Sequence, residues 1–134
     1  MGLNISHGCW SGAYSAFNRW RNKLAEAAGY WVTKFPSGHE TATIDWGHVS
    51  EANLLGDWDE VPKDPLIILI AHSDCDGIIR SEHAGLLADR IGELLALLPD
   101  GDGGGHIGNW RDKTQEFVDG LRFAHQRGED VVFC

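Results

Sequence analysis

The stretch that most constrains the chain runs from Pro65 to His83, PLIILIAHSDCDGIIRSEH. Its first part, Leu66 to Ala71, is an unbroken apolar run in which three of the residues are β-branched isoleucines. A short continuous run of that kind fits a strand buried on both faces. It stops at His72-Ser73-Asp74-Cys75-Asp76-Gly77, which sets an imidazole, a hydroxyl, a thiol and two carboxylates against a turn-forming glycine. Ionisable groups at the end of a buried strand are where small α/β domains keep their chemistry. The pattern therefore predicts a strand over 66–71, a polar loop, a short extended piece at Ile78-Ile79, and a helix from about Glu82 to Leu98.

The remaining elements follow from periodicity and punctuation. Residues 2–6 read as a first strand. A helix is expected from about Ala13 to Ala28, with Ser11 as N-cap, Gly29 as the C-terminal stop, and Phe17, Trp20 and Leu24 on its apolar face. Tyr30–Phe35 and Thr41–Trp46 flank the turn-rich Pro36–Glu40 and predict a β-hairpin. Gly47 to Asp64 reads as a surface loop with at most one helical turn. A last helix is expected from about Trp110 to Gln126, closed by Gly128, followed by a strand at 131–134. The expected fold is α/β (or α+β), a single domain spanning residues 1–134, with a small mixed sheet of about four to five strands and about three helices.

Two loops carry residues suited to chemistry. The first is His7–Ser15, HGCWSGAYS, read as a strand-to-helix turn. Gly8 and Gly12 would let backbone approach a ligand, and free N–H groups at a helix start attract anions such as phosphate. Trp10 and Tyr14 would stack on a base and Arg19 or Arg21 would neutralise a phosphate. The candidate ligand set is His7, Gly8, Cys9, Trp10, Ser11, Gly12, Tyr14, Arg19 and His72. The turn has neither the GK[ST] of a P-loop nor a GxGxxG, and the plain alternative is a tight turn with its aromatics in the core.

The second loop partly matches the calcium loop of an EF-hand. Asp74 and Asp76 fall at positions 3 and 5, Gly77 at 6 and Ile79 at 8. His72 and His83 occupy positions 1 and 12, where that loop takes Asp and Glu, so a transition metal suits the set as well as calcium does. The candidate ligands of a divalent metal (Ca, Zn, Mn or Fe) are His72, Asp74, Asp76 and His83. The alternative is an Asx-type turn in which the aspartates accept backbone N–H groups. A parallel pairing of the first strand with 66–71 would bring both loops to one sheet edge, and Cys9 or Cys75 could then meet His7 or His72 as a nucleophile pair. A buried, inert thiol is the commoner fate of a free cysteine. His125 reads as a satisfied boundary histidine, and His39 and His48 as solvated. Asp57, Asp59 and Glu60 read as a hydrated acidic surface. The glycine-rich Asp100–His106 loop reads as a lid or a simple connection.

Composition excludes several function classes. A formal charge of −9 over 134 residues argues against general nucleic-acid binding, which needs a basic face. Three cysteines without a CxxC fit free thiols in a reducing cytoplasm. The longest apolar run is far below a membrane span, and no signal peptide is visible.

The opening MGLNISHGCWSGAYSAFNRWR, the middle HSDCDG and the later RDKTQEFVDGLR together resemble a group of small uncharacterised bacterial and bacteriophage proteins. The resemblance covers roughly half the chain. Relatives of that kind carry HSDCDGEI in the middle loop, and Ile78 here replaces the acidic residue, which weakens the calcium match. The group has no activity to transfer, but a phage setting implies an anti-defence role, capture of a nucleotide-derived immune signal in the host cytoplasm. The leading expectation is a binder of a small anionic or nucleotide-like ligand, with a homo-oligomer allowed. A metal-dependent hydrolase using the middle loop, and an acidic protein–protein inhibitor, are the rivals.

Overall fold

The structure, a computed structural model of the chain, describes residues 2–34, 41–44, 64–73, 75–105 and 107–134. The chain opens with a hairpin of β1 (Gly2–Ile5) and β2 (Trp10–Ala13), paired antiparallel with Ile5 opposite Trp10 and Gly2 opposite Ala13. α1 (Tyr14–Ala27) leaves β2 directly and ends before Gly29, whose φ of +90° is the left-handed stop expected there. β3 (Trp31–Lys34) and β4 (Thr41–Ile44) form the expected second hairpin. Its turn at 36–40 lies outside the described residues, as does the expected loop over 47–63. Then follow α2 (Leu66–Ile70), β5 (Gly77–Ile79) and α3 (Ser81–Leu94), which tightens into a 3₁₀ turn over Leu95–Leu97. The chain closes with α4 (Trp110–Arg127) and β6 (Val131–Phe133).

The main sheet has the order β2-β1-β6-β5, antiparallel at every pairing. β6, the last strand, enters between β1 and β5, with Ile5 and Gly77 both opposite Phe133. Alternation along the strands buries Leu3, Ile5, Ile79, Val131 and Phe133 on the face toward the helices. It leaves Asn4, Ile78 and Val132 on the other, exposed face. The result is a small single-domain α/β fold, as expected, with four helices among the described residues gathered over the buried face of a four-stranded sheet. α3 and α4 pack along their lengths, and an aromatic cluster of Trp10, Phe17, Trp20, Phe117 and Phe133 fills the space between α1, α4 and the sheet. Trp20 donates its indole N–H to Thr114 Oγ1 at 2.9 Å, so the buried ring is satisfied.

The 66–71 segment corrects the sequence reading, since it is a helix and not a strand. An apolar run without periodicity cannot tell a buried strand from a short buried helix, and here Asp64-Pro65 decides. Pro65 sits at φ −58°, ψ −22°, already helical, and Asp64 accepts the Leu66 N–H on its side chain at 3.0 Å and the Ile67 N–H on its carbonyl at 3.1 Å. At the other end Arg21 Nη1 donates to Leu69 O at 3.1 Å and to His72 O at 2.5 Å. β1 therefore has no parallel neighbour, and its partners are β2 and β6. A second correction concerns Ser11, which pairs with Asn4 inside β2 and is not the N-cap of α1.

Candidate functional site

The β1–β2 turn, Ser6 to Cys9, is built by residues the helices hold from behind. His7 and Gly8 stand at φ +63° and +75°, and His7 is the one non-glycine with positive φ among the described residues. Positive φ at both central residues is the pattern of a type I′ turn, closed here by Cys9 N donating to Ser6 O at 3.3 Å, and histidine enters that region more readily than most non-glycine residues. β6 and α4 hold the turn in place. Ser6 N donates to Val132 O at 2.9 Å, and Val132 N donates back to Ser6 Oγ at 2.8 Å, the hydroxyl replacing the ladder carbonyl as β1 ends. Beneath the turn lies Gly120 of α4, where a Cβ would stand 2.6 Å from Cys9 Sγ and 2.9 Å from His7 O. Cys9 is fully buried, and burial pushes its thiol up to about 12, which rules it out as a thiolate nucleophile at neutral pH.

A chain of hydrogen bonds crosses the turn. Ser6 Oγ lies 2.8 Å from His7 Nδ1, and His7 Nε2 lies 3.1 Å from Glu129 Oε1. The Glu129 carboxylate only accepts, so the ring hydrogen sits on Nε2, and Ser6 Oγ, which accepts the Val132 N–H, gives its own hydrogen to Nδ1. Glu129 Oε1 also accepts from Arg127 Nε at 2.8 Å. The hydrogen bonds from His7 and Arg127 hold its carboxyl below the usual carboxylate range.

Beside the turn opens a cleft of about 450 Å³. Ser6, His7 and Gly8 of the turn, Trp10 and Ser11 of β2, Lys113 and Glu116 of α4, and Val132 all line it. Trp10 is 2% exposed and its ring packs against Phe17 and Trp20, with Lys113 Nζ 4.4 Å from its centroid. Its Nε1 is a buried donor with no hydrogen-bond partner, the one such side-chain atom among the described residues. A buried N–H left unmade costs about 1–3 kcal/mol and needs an explanation. Lys113 pairs with Glu116 at 3.7 Å, and Glu116 is 62% exposed, so that partner is easily exchanged.

Of the nine expected ligand residues, His7, Gly8, Trp10 and Ser11 line this cleft. The others are elsewhere. Cys9 is sealed below the turn, Gly12 lies within β2, and Tyr14 starts α1, partly buried against the core. Arg19 donates to Gly103 O at 3.1 Å and pins the glycine-rich loop. That loop is further tied by Gly103 N donating to Gly108 O at 2.6 Å and Gly104 N to Asp102 Oδ1 at 2.7 Å; His106 lies outside the described residues. The stacking expected of Trp10 is blocked, because its ring is covered. The helix start expected to hold phosphate at this turn is displaced by β2.

The middle loop is a separate place. The sheet order puts β5 and β2 at opposite edges, and His72 is not part of the cleft. His72 stacks on Phe133 at 4.0 Å, its Nδ1 2.9 Å from Ser73 O and its Nε2 2.9 Å from Ile78 O, so a metal would have to displace one of those carbonyls. Asp76 is exposed with Cys75 Sγ 3.9 Å from Oδ1, His83 lies in the first turn of α3, and Asp74 is outside the described residues. Among the described residues no three metal-ligating side chains are gathered. Cys75 is exposed, with Ser73 Oγ at 3.4 Å. His125 Nδ1 donates to Ser81 O at 2.7 Å, and the ring packs over Gly85. His39, His48, Asp57, Asp59 and Glu60 lie outside the described residues. No helix among the described residues is long and apolar enough to cross a membrane.

Ser6, Lys113, Glu116, Glu129 and Val132 escaped the sequence reading. Ser6 followed directly by His7 at a strand end was the available signal; nothing local marks Glu129 or Lys113, which arrive by the return of α4 and β6. Comparison with protein-family models, with curated proteins and with solved structures gives no match.

Proposed function

We propose that the chain binds a small anionic ligand in the cleft between the β1–β2 turn and α4. The observation that carries this reading is the buried Trp10 N–H without an acceptor, on a side chain that lines the same cleft as Lys113 and lies under its ammonium. An unmet indole donor and a cation on neighbouring side chains, walled by Ile5, Trp10 and Val132, fit an acidic group on a small, partly apolar molecule. The anion takes the place of Glu116 on Lys113 and gives Trp10 Nε1 its missing acceptor. A nucleotide-derived ligand enters this reading through its phosphate and not its base, because the indole face is covered.

Titration calorimetry with inorganic phosphate, AMP, benzoate and neutral benzyl alcohol tests it. At least one anion is expected to give saturable heat, benzyl alcohol none, and Lys113→Met to weaken the anion about tenfold or more, the scale of one charge-assisted hydrogen bond. No heat from any of the three anions would overturn it.

A further inference from the structure

We propose that Ser6, His7 and Glu129 form a nucleophilic relay that cleaves small carboxylic esters held in the cleft of the β1–β2 turn. The proposal rests on that cleft being a ligand site, and adds a reaction to it. Four observations converge. Ser6 Oγ, His7 Nδ1, His7 Nε2 and Glu129 Oε1 form one chain at 2.8 and 3.1 Å, within the range for a nucleophile, its base and an orienting acid. Ser6 and His7 both line the cleft, so the nucleophile and base stand where a ligand sits. The turn that carries them has positive φ at both central residues, His7 and Gly8, and is closed by Cys9 N donating to Ser6 O at 3.3 Å, which fixes the two side chains relative to one another. Trp10, whose Nε1 is the buried donor without a partner, lines the same cleft as Lys113, whose ammonium is a cation near a carbonyl oxygen gaining negative charge there.

The roles follow from the hydrogen bonds. Ser6 Oγ attacks the ester carbonyl carbon while its proton moves to His7 Nδ1. The Val132 N–H already bonded to Oγ favours charge on that oxygen. Nε2–H of the imidazolium stays on Glu129, whose carboxylate also accepts from Arg127 Nε. Collapse of the tetrahedral species breaks the bond to the alcohol, which leaves with the proton from Nδ1. Water then attacks the acyl-serine, passes a proton to Nδ1, and Ser6 Oγ recovers that proton as the carboxylic acid departs. The order of the ring nitrogens is the reverse of the familiar serine triad, because Ser6 and His7 are neighbours in the chain and the serine reaches Nδ1 first. A cleft of about 450 Å³ has room for a small acyl group.

The test uses the full chain with 4-nitrophenyl butyrate as substrate, a fluorophosphonate as serine-directed label, and benzoate as a binding probe. The wild type is expected to turn over the ester and to take one label, mapped to Ser6 by peptide mass. Ser6→Ala is expected to lose the label and about 100-fold or more of the turnover while still binding benzoate. Ser6 also holds Val132 N, so His7→Asn serves as the second variant. Asparagine tolerates the positive φ, and about a 100-fold loss of kcat is expected. Glu129 acts through His7 as a positioning residue. Glu129→Gln is expected to lower kcat about tenfold with KM unchanged, and Glu129→Asp to recover part of it. Absence of label and turnover in a wild type that binds benzoate would overturn the relay and leave the ligand site standing. Absence of binding of benzoate, phosphate and AMP as well would overturn both. Turnover or label retained in Ser6→Ala would also overturn the relay.

Discussion

Asp64→Asn isolates the contact that fixes α2, the helix that the sequence disguised as a strand. Asp64 accepts from Tyr30 Oη at 2.6 Å, from Arg90 Nε at 2.9 Å and Nη2 at 3.3 Å, and from Leu66 N at 3.0 Å. One carboxylate thus ties the end of α1, the start of α2 and the middle of α3. Burial opposes its charge, and the hydrogen bonds from Arg90, Tyr30 and Leu66 outweigh that, holding the carboxyl below its ordinary value. Burial, with the Asp64 hydrogen bond, pushes the Tyr30 hydroxyl up to about 12. Breaking a fully buried ion pair costs about 3–5 kcal/mol. Here the side chains are 14% and 26% exposed, and Arg90 keeps Glu93 at 3.1 Å, so about 2 kcal/mol is expected for Asn, which preserves the helix cap. Ala, which removes the cap too, should cost about 1 kcal/mol more. A carboxyl depressed in the folded state stabilises above its unfolded pKa of about 3.9, and that stabilisation is lost as pH falls through the folded value. Urea unfolding followed by circular dichroism should therefore show the gap between wild type and Asp64→Asn in full at pH 7 and closing below about pH 4. A gap under about 0.5 kcal/mol at pH 7, or one that does not change with pH, would refute the reasoning.

Other outcomes follow from the same contacts. Gly120→Ala drives a methyl against Cys9 Sγ and the His7 and Cys9 backbone, at 2.6 to 3.0 Å, and should destabilise by about 1–3 kcal/mol in urea unfolding while weakening benzoate binding. Trp20→Phe leaves Thr114 without its incoming indole N–H and opens space beside Phe117, so a loss of about 1–3 kcal/mol is expected by the same measurement. In native thiol titration with an aromatic disulfide reagent, Cys75 and Cys134 should react promptly and Cys9 only on unfolding, because Cys9 is fully buried with its thiol pushed up to about 12.

Where the chain carried a long amphipathic pattern, the sequence was enough. α1, α3 and α4 bury the faces that their spacing marks, and Gly29 and Gly128 stop α1 and α4 with positive φ, as glycine beyond a helix end does. The short elements were harder. Leu66–Ile70 is buried on nearly every side, which erases periodicity, and only Asp64-Pro65 distinguishes a helix start. Trp10–Ala13 is a four-residue strand containing Gly12, too short and too permissive to separate from a helix entrance. The turn at His7 was legible as a place of interest, but not the side of it that opens. Its partners Lys113 and Glu129 lie on α4 and just beyond it, and only the insertion of β6 between β1 and β5 brings that end of the chain to Ser6.

The most direct measurement follows the indole resonance of Trp10 in a two-dimensional proton–nitrogen spectrum, assigned by its absence in Trp10→Phe, while benzoate is added to the full chain. If the unpartnered N–H is the heart of a ligand site, that resonance moves downfield and saturates at the concentration where binding heat saturates. A Trp10 resonance that stays in place through saturation would contradict the site.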